Sequence, residues 1–273
     1  MVNTFPELKG SKMILCIDIG NTTSVFGVFR DDKLLSSFLL ESKLTQTADE
    51  YGVLLLDILK YHNLKSKDIE GVIITSVVPS LDSTFEKMIN KYLNKKPIFI
   101  GPGVKTGIRV SVENPKQVGA DIVVGAVAAK AKYGAPVIII DMGTAITLFY
   151  VDNKSELVGG VIAPGIKTSY RSLVQSTARL EEVRLDEPPS VIGRDTVSCI
   201  QSAMIYGTTS MIDGIIRKMK KEALEQFKEN GARIKVVLTG GESKVIKDFL
   251  EEEVYYDEDL VLEGLYLIYK KNK

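Results

Sequence analysis

A short polar turn at residues 18–23 carries the first side chains whose types and spacing suit phosphate chemistry. It follows an apolar run at 13–17 and precedes a β-rich run at 24–29, an order that predicts strand, tight turn and strand. Its side chains offer a carboxylate, a glycine that lets the backbone approach a ligand, and amide and hydroxyl donors: Asp18, Gly20, Asn21, Thr22 and Thr23. The turn fits a polyphosphate with its metal ion, although ordinary hairpins use the same residue types.

The same design returns in the second half of the chain. The apolar run 137–140 is followed by Asp141, Gly143 and Thr144 and then by a second apolar run at 145–151. Two such units predict a duplicated domain whose turns face one shared cleft. Carboxylates there would repel phosphates unless cations lay between them, and hard cations take oxygen ligands.

Asp121 is the candidate proton acceptor for a hydroxyl substrate. Phosphoryl transfer to an alcohol needs a base or an orienting group for the acceptor hydroxyl. Asp121 stands at the start of an otherwise apolar helix predicted over 115–132. The alternative is a carboxylate that only interacts favourably with the helix dipole.

A glycine-rich segment at 159–165 predicts a strand that turns into a helix. The first N–H groups of such a helix can bind an anion, but the segment also suits a tight connection with proline early in the helix. Lys167 and Arg171 lie one turn apart, and they fit an acidic substrate or a solvated helix face equally well.

Composition excludes several classes of function. The 273 residues are 45% hydrophobic, and 35 basic residues balance 35 acidic ones, so no basic field favours nucleic acid or a membrane surface. No apolar run suits a membrane span or a signal peptide, and Cys16 and Cys199 make no disulfide framework, which together predict a cytoplasmic protein. His62 is the single histidine, which argues against a Ser-His-Asp triad or a histidine-rich zinc site.

The periodicity predicts a mixed sheet with helices in each half. The first half reads as strands at 13–17, 24–29, 33–41, 69–75 and 97–100, with helices at 47–62, capped by Thr47, and up to residue 93, capped by Ser80. A loop follows at 101–114. The second half reads as strands at 136–142, 145–151, 155–162 and 234–239, with helices at 165–177, 195–228, 243–250 and 259–271. Residues 239–241 are then predicted to connect a strand to a helix in the second half, as residues 75–77 do in the first half.

Taken in order, a series of motifs resembles the type III pantothenate kinase family from residue 13 to the C-terminus. The motifs are DIGNTTSVFGVF, ITSVVP, NPKQVGAD, IDMGTAITL, GGVIAPG, STARL, IGRDTVSCIQSA, LTGG and LVLEGL. The resemblance implies an α/β fold of two ribonuclease-H-like domains, with duplicated mixed sheets and flanking helices around an interdomain cleft. It is the fold of the acetate kinase, sugar kinase, Hsc70 and actin superfamily. We place the domains at 13–118 and 119–273, after an N-terminal extension at 1–12.

The resemblance also implies a reaction and roles for residues. The family moves the γ-phosphate of ATP to pantothenate, the first step of coenzyme A synthesis, and works as a homodimer with pantothenate near the subunit interface. Asp121 would accept the proton, Asp18 would lie near the divalent ion, and Asp141 would bind a monovalent cation, K⁺ or NH₄⁺. The ATP contacts would be Asp18, Ile19, Gly20, Asn21, Thr22, Thr23, Ser24, Val25 and Thr144. The pantothenate contacts would be Gly119, Ala120, Asp121, Ile122 and Thr196.

The acceptor side departs from the family pattern. The family usually has arginine at the position of Ile122, asparagine at that of Gly125, and often tyrosine at that of Val112. In the second turn, Ile146 and Phe149 stand where threonine and aspartate are frequent. Loss of a guanidinium that orients a carboxylate costs about 1.5–3 kcal/mol. The changes leave two alternatives open: a nucleotide-binding accessory protein that has lost the reaction, or a kinase of another small hydroxyl compound.

Overall fold

The computed structural model describes residues 12–177, 183–227 and 233–273, and there the chain divides into two compact units. The first unit contains the chain up to Thr106 together with 119–124 and 261–273, and the second contains 107–118 and 125–260. Each unit therefore combines segments that are separate in sequence. The continuous domains 13–118 and 119–273 stay a prediction, and the extension 1–12 lies outside the described residues except for Lys12.

The described chain forms strands and helices that alternate along its length. The strands are β1 (Met13–Ile19), β2 (Thr23–Arg30), β3 (Lys33–Glu41), β4 (Ile69–Ser76), β5 (Ile98–Phe99), β6 (Arg109–Val110), β7 (Val137–Met142), β8 (Ala145–Val151), β9 (Glu156–Pro164), β10 (Lys235–Thr239) and β11 (Tyr255–Tyr256). The helices are α1 (Ala48–Tyr61), α2 (Pro79–Leu93), α3 (Ala120–Tyr133), α4 (Ile166–Gln175), α5 (Thr196–Ser202), α6 (Thr208–Gln226), α7 (Ser243–Ile246) and α8 (Leu260–Lys271). Within the described ranges, none of these helices is long and apolar enough to span a membrane.

The first unit is a five-stranded mixed sheet in the order β3-β2-β1-β4-β5. β1 is antiparallel to β2 and parallel to β4. One face packs against α1 and α2 through a buried core that includes Ile17, Tyr51 and Phe85. The other face packs against α8, where Gly27 lies so close to Leu262 that an added Cβ atom would be 2.8 Å from it. The ring of Phe29 also stacks on Tyr266, with centroids 4.6 Å apart.

The second unit repeats this plan with one more strand. Its sheet has the order β11-β10-β7-β8-β9-β6, in which β7 is antiparallel to β8 and parallel to β10. Its core joins β7, β8 and β10 to residues of α6, among them Ile212 and Ile216. Because β9-β8-β7-β10-β11 reproduces β3-β2-β1-β4-β5, the prediction of a duplicated α/β fold with mixed sheets and flanking helices is confirmed.

The strands and main helices lie where the periodicity predicts them, and Thr47 caps α1 in a reciprocal capping box with Glu50. The Ser80 cap is wrong, because Pro79 takes the first helical position and Val78 is the residue before it. The helix predicted from residue 115 begins at Ala120, after a separate 3₁₀ turn at Pro115–Gln117. The loop predicted at 101–114 contains β6, and the long helix predicted at 195–228 includes a π-helical turn at Ala203–Gly207.

Candidate functional site

The first candidate turn connects β1 and β2 and is held by backbone bonds. The Gly20 N–H group donates to the Thr23 carbonyl oxygen at 3.1 Å. A Cβ atom on Gly20 would lie 2.8 Å from that oxygen, so this close turn requires glycine. Asn21, Thr22 and Thr23 are exposed, whereas Asp18 is half-buried at the end of β1. The turn therefore presents its amide and hydroxyl side chains to solvent and keeps its carboxylate near the end of the central strand.

The remaining predicted residues of this turn serve the fold. Ile19 is fully buried in the core, and the buried Ser24 hydroxyl lies 2.8 Å from the hydroxyl of Ser42. The Ser42 N–H group donates to the Thr22 carbonyl oxygen at 3.0 Å, which fixes the turn to the end of β3. Val25 is half-buried in β2.

Asp121 lies in the first turn of α3, as predicted. Its Oδ1 atom accepts a hydrogen bond from the Ile122 N–H group at 2.8 Å. Burial raises the pKa of the Asp121 carboxyl group above its ordinary value, against the opposing effect of the backbone hydrogen bonds. A Cβ atom on Gly119 would collide with Asp121 Oδ1. Glycine at position 119 therefore leaves room for the carboxylate in this orientation. Residues 119–124 belong to the first unit, as Asp18 does.

The second candidate turn connects β7 and β8 and is one residue shorter than the first. The Gly143 N–H group donates to the Ala145 carbonyl oxygen at 3.0 Å. Asp141 is half-buried and Thr144 is exposed. The Thr144 carbonyl oxygen accepts from the Gly165 N–H group at 3.0 Å and from the Thr168 hydroxyl at 2.7 Å. The second turn is thus bound to the start of α4.

Glu242 joins this turn to the start of α4, and no motif in the sequence indicates this role. Its N–H group donates to the Met142 carbonyl oxygen at 2.9 Å, and its Oε2 atom accepts from the Ile166 N–H group at 3.0 Å. Burial raises the pKa of Glu242, against the lowering effect of Lys167, backbone hydrogen bonds and Arg171. The helix start after the segment 159–165 was predicted to be either an anion site or a tight connection, and its Ile166 N–H group binds a carboxylate of the chain itself.

Glycines let these segments approach one another closely. Gly240 has a φ of +93°, and a Cβ atom there would collide with Asp141 Oδ1 and with the Met142 backbone nitrogen. A Cβ atom on Gly165 would collide with the Gly143 carbonyl oxygen. Gly240 thus brings the backbone after β10 against the Asp141 carboxylate.

Thr196 is exposed and is the first residue of α5. Asp195 caps this helix by accepting from the Ser198 N–H group at 2.8 Å, and this bond lowers the pKa of Asp195.

Among the predicted site residues, the structure brings together Asp141 and Thr144 with Gly165 and Gly240 in the second unit. That Asp18 and Asp141 face one cleft stays a prediction, as do the ligands of the individual residues. In the described part of the chain, no group of three or more His, Cys, Asp or Glu side chains is arranged to hold a metal ion.

The comparisons with known proteins agree on one family. The family model of type III pantothenate kinases matches residues 14–218. A type III pantothenate kinase of Exiguobacterium sp. strain AT1b is 43% identical over 261 residues, which are 96% of this chain and 100% of the relative.

Two solved structures with a similar fold have lower sequence identity to this chain. A Baf family protein of Campylobacter jejuni superposes with a TM-score of 0.57 and 20% identity, covering 94% of this chain and 98% of its own. A reductive activator for a corrinoid, iron-sulfur protein gives a TM-score of 0.56 and 14% identity, covering 97% of this chain and 62% of its own. At these identities the two structures support the fold alone.

Proposed function

Because this chain belongs to the type III pantothenate kinase family, we propose that it transfers the γ-phosphoryl group of ATP to the primary hydroxyl group of pantothenate, the first step of coenzyme A biosynthesis. The observation that carries this proposal is the 43% identity to a pantothenate kinase along nearly the whole chain. The geometry of the two turns and of Asp121 supports the roles given below.

The turn between β1 and β2 would bind the phosphates of ATP. Its exposed Asn21, Thr22 and Thr23 side chains can donate to phosphate oxygens, and Gly20 keeps the backbone close. Asp18 offers a half-buried carboxylate beside them, and the buried Thr75 hydroxyl has no partner among the described residues, so this end of the sheet fits a hydrated cation. Mg²⁺ bound there would neutralise charge that develops on the phosphoryl oxygens.

Asp121 would take the proton of the pantothenate hydroxyl while the hydroxyl oxygen attacks the γ-phosphorus. The Ile122 N–H group engages Oδ1, which orients the carboxylate and leaves Oδ2 for the substrate. Its raised pKa makes it a stronger base than an ordinary aspartate. Gly119, Ala120, Ile122 and Thr196 would contact pantothenate.

In the second unit, Asp141 would bind a monovalent cation, K⁺ or NH₄⁺, and Thr144 would contact ATP. The carboxylate lies at the end of β7, where Gly240 leaves room for it. We further propose that the enzyme is a homodimer, which the family resemblance implies, and that it is cytoplasmic, which its two unpaired cysteines favour.

A coupled assay of ADP release tests the function. We expect release that depends on pantothenate, requires Mg²⁺, and rises when K⁺ or NH₄⁺ replaces Na⁺. Turnover with another hydroxyl compound but not with pantothenate would show a different acceptor. An absence of turnover with saturating ATP and Mg²⁺ would overturn the proposal.

A second candidate function is that of a nucleotide-binding accessory protein, which the apolar Ile122 and the glycine at 125 favour. Calorimetry would then show ATP binding without pantothenate binding. The double variant Ile122→Arg with Gly125→Asn tests the cause directly. A Cβ atom at Gly125 would meet no atom of another described segment within 4 Å, so a side chain can start there without a clash. If the variant gains turnover that the parent lacks, the residues at positions 122 and 125 are the cause of the lost activity.

A further inference from the structure

Thr75, near the end of β4, has a hydroxyl group that the fold itself does not use. Its side chain is fully buried, and its Oγ1 atom has no hydrogen-bond partner among the described residues. Burial of a hydroxyl without a partner is unfavourable, and native proteins contain few such groups. The Thr75 hydroxyl therefore has hydrogen-bonding capacity that a ligand of the folded protein could use, and its position decides whether one does.

The register of the sheet places Thr75 beside Asp18. The two residues are direct partners in the parallel pair of β1 and β4, where neighbouring strands lie about 4.8 Å apart. Ile17 and Ile74, one residue earlier, both point into the core under α1 and α2. Since side chains alternate along a strand, Asp18 and Thr75 share the opposite face. The Val77 N–H group donates to the Ile19 carbonyl oxygen at 3.0 Å, so the pairing continues to the end of both strands.

The second unit contains the same pair. Asp141 is the direct partner of Thr239 in the parallel pair of β7 and β10, and Thr239 is buried. Ile140 and Leu238, one residue earlier, again point into the core. An aspartate beside a buried threonine thus recurs at the same place in two units whose other side chains differ widely.

We propose that Thr75 is a positioning residue for the metal–nucleotide complex: its hydroxyl accepts a hydrogen bond from a water molecule of the hydrated Mg²⁺ ion that joins Asp18 to the phosphates. This inference rests on the proposed function, because it takes Asp18 as the carboxylate near Mg²⁺. Mg²⁺ in proteins keeps several of its water molecules, and a hydroxyl beside the carboxylate can bind them. No covalent step is assigned to Thr75.

Thr75→Val tests the proposal, since valine keeps the shape of threonine and removes the hydroxyl. We expect the affinity for ATP measured by calorimetry in the presence of Mg²⁺ to fall about tenfold, the effect of one lost hydrogen bond to a charged group. The affinity for ATP with excess chelator should change less than about twofold. Thr75→Ser keeps the hydroxyl and should bind Mg²⁺ and ATP as the parent does.

Ser36→Ala is the matched control. Ser36 also has a buried hydroxyl without a partner among the described residues, but it lies in β3 opposite Val28 and away from the turn. Its loss should leave the affinity for ATP unchanged with and without Mg²⁺. If Thr75→Val does not fold, Thr75→Ala takes its place in the same comparison with Thr75→Ser.

The outcomes separate this inference from the proposed function. If the parent protein binds ATP with Mg²⁺ and Thr75→Val binds it equally well, the role of Thr75 is overturned and the kinase assignment stands. The same holds if Thr75→Val weakens binding equally with and without Mg²⁺. A parent protein that does not bind ATP in the presence of Mg²⁺ overturns the proposed function and the role of Thr75 with it.

Discussion

Asp121 combines an oriented carboxylate with a raised pKa, and both properties come from its neighbours. The Ile122 N–H group fixes Oδ1 at 2.8 Å, and burial disfavours the charged form. Ionisation of this carboxylate costs free energy that its backbone hydrogen bonds offset only in part, since burial is the larger effect on its pKa. The arrangement is explained if the carboxylate serves the reaction.

Asp121→Asn should therefore separate activity from stability. We expect kcat to fall by about 10²–10⁴ because the proton acceptor is lost. The melting temperature at pH 7 should rise. The raised pKa means that the native state holds the proton more tightly than the unfolded chain does, so the parent loses stability as pH rises from the ordinary aspartate pKa of about 3.9 to the raised value. Asparagine does not ionise, so Asp121→Asn does not lose this stability as pH rises.

Scanning fluorimetry at several pH values measures the effect. The difference in melting temperature between Asp121→Asn and the parent should be largest at neutral pH and should vanish below about pH 3.9. Asp57→Asn is the control, since Asp57 is exposed in α1. A variant that retains full turnover would contradict the role of Asp121.

Among the secondary-structure elements, those with a strong period could be predicted and those defined by contacts distant in sequence could not. Helix α1 was predicted within one residue at each end because its apolar residues repeat at a spacing of three to four positions. The two-residue strands β6 and β11 are too short to show a period. The bond between Glu242 and the start of α4 joins residues 76 positions apart, and no local signal announces it.

Gly240→Ala should disturb the Asp141 turn. The φ of +93° disfavours any residue with a Cβ atom, and this atom would also collide with Asp141 Oδ1. We expect a loss of about 1–3 kcal/mol in the free energy of unfolding and a loss of activation by K⁺. Gly241→Ala is a matched control, because its added Cβ atom would meet no described heavy atom within 4 Å. Equal unfolding midpoints for the two variants in urea would refute the argument.

Glu242→Ala should loosen the contact between the second turn and α4. It removes the acceptor of the Ile166 N–H group and should lower the free energy of unfolding by about 1 kcal/mol, or the melting temperature by about 2–4 °C. Glu242→Gln keeps an acceptor oxygen and should lose less. The control Glu258→Ala removes an exposed ion pair with Lys244 and should change stability by less than about 0.5 kcal/mol. If Glu242→Gln is less stable than Glu242→Ala, the charge of Glu242 and not its acceptor oxygen stabilises the contact.

For the whole molecule, the repeated turn predicted the duplication, but not which unit each terminal segment joins. Helix α8 lies last in the chain, yet residues 261–273 belong to the first unit, where Tyr269 and Leu262 pack against Gly71 and Gly27. An amphipathic helix presents the same apolar stripe to any sheet that offers a complementary face, so its sequence does not choose between two similar sheets. The glycines on β2 and β4 leave room for α8 on the first sheet. Their role can be recognised only once α8 is known to be the helix that packs there.

The proposed homodimer leads to a prediction about apolar side chains that one chain leaves exposed. Ile192 is 81% exposed and Val191 64% exposed, just before the helix that begins at Thr196. Neighbouring apolar side chains on a surface are typical of a protein interface. We expect the parent protein to show twice the 30.1 kDa mass of one chain in light scattering, and Ile192→Asp to show the mass of one chain. Its KM for pantothenate should rise, since the family resemblance implies a site near the interface. Leu44→Asp is the control: Leu44 is 68% exposed but belongs to the first unit, so this variant should stay dimeric. A monomeric parent protein would refute the homodimer, whereas a dimeric Ile192→Asp would place the interface on another surface.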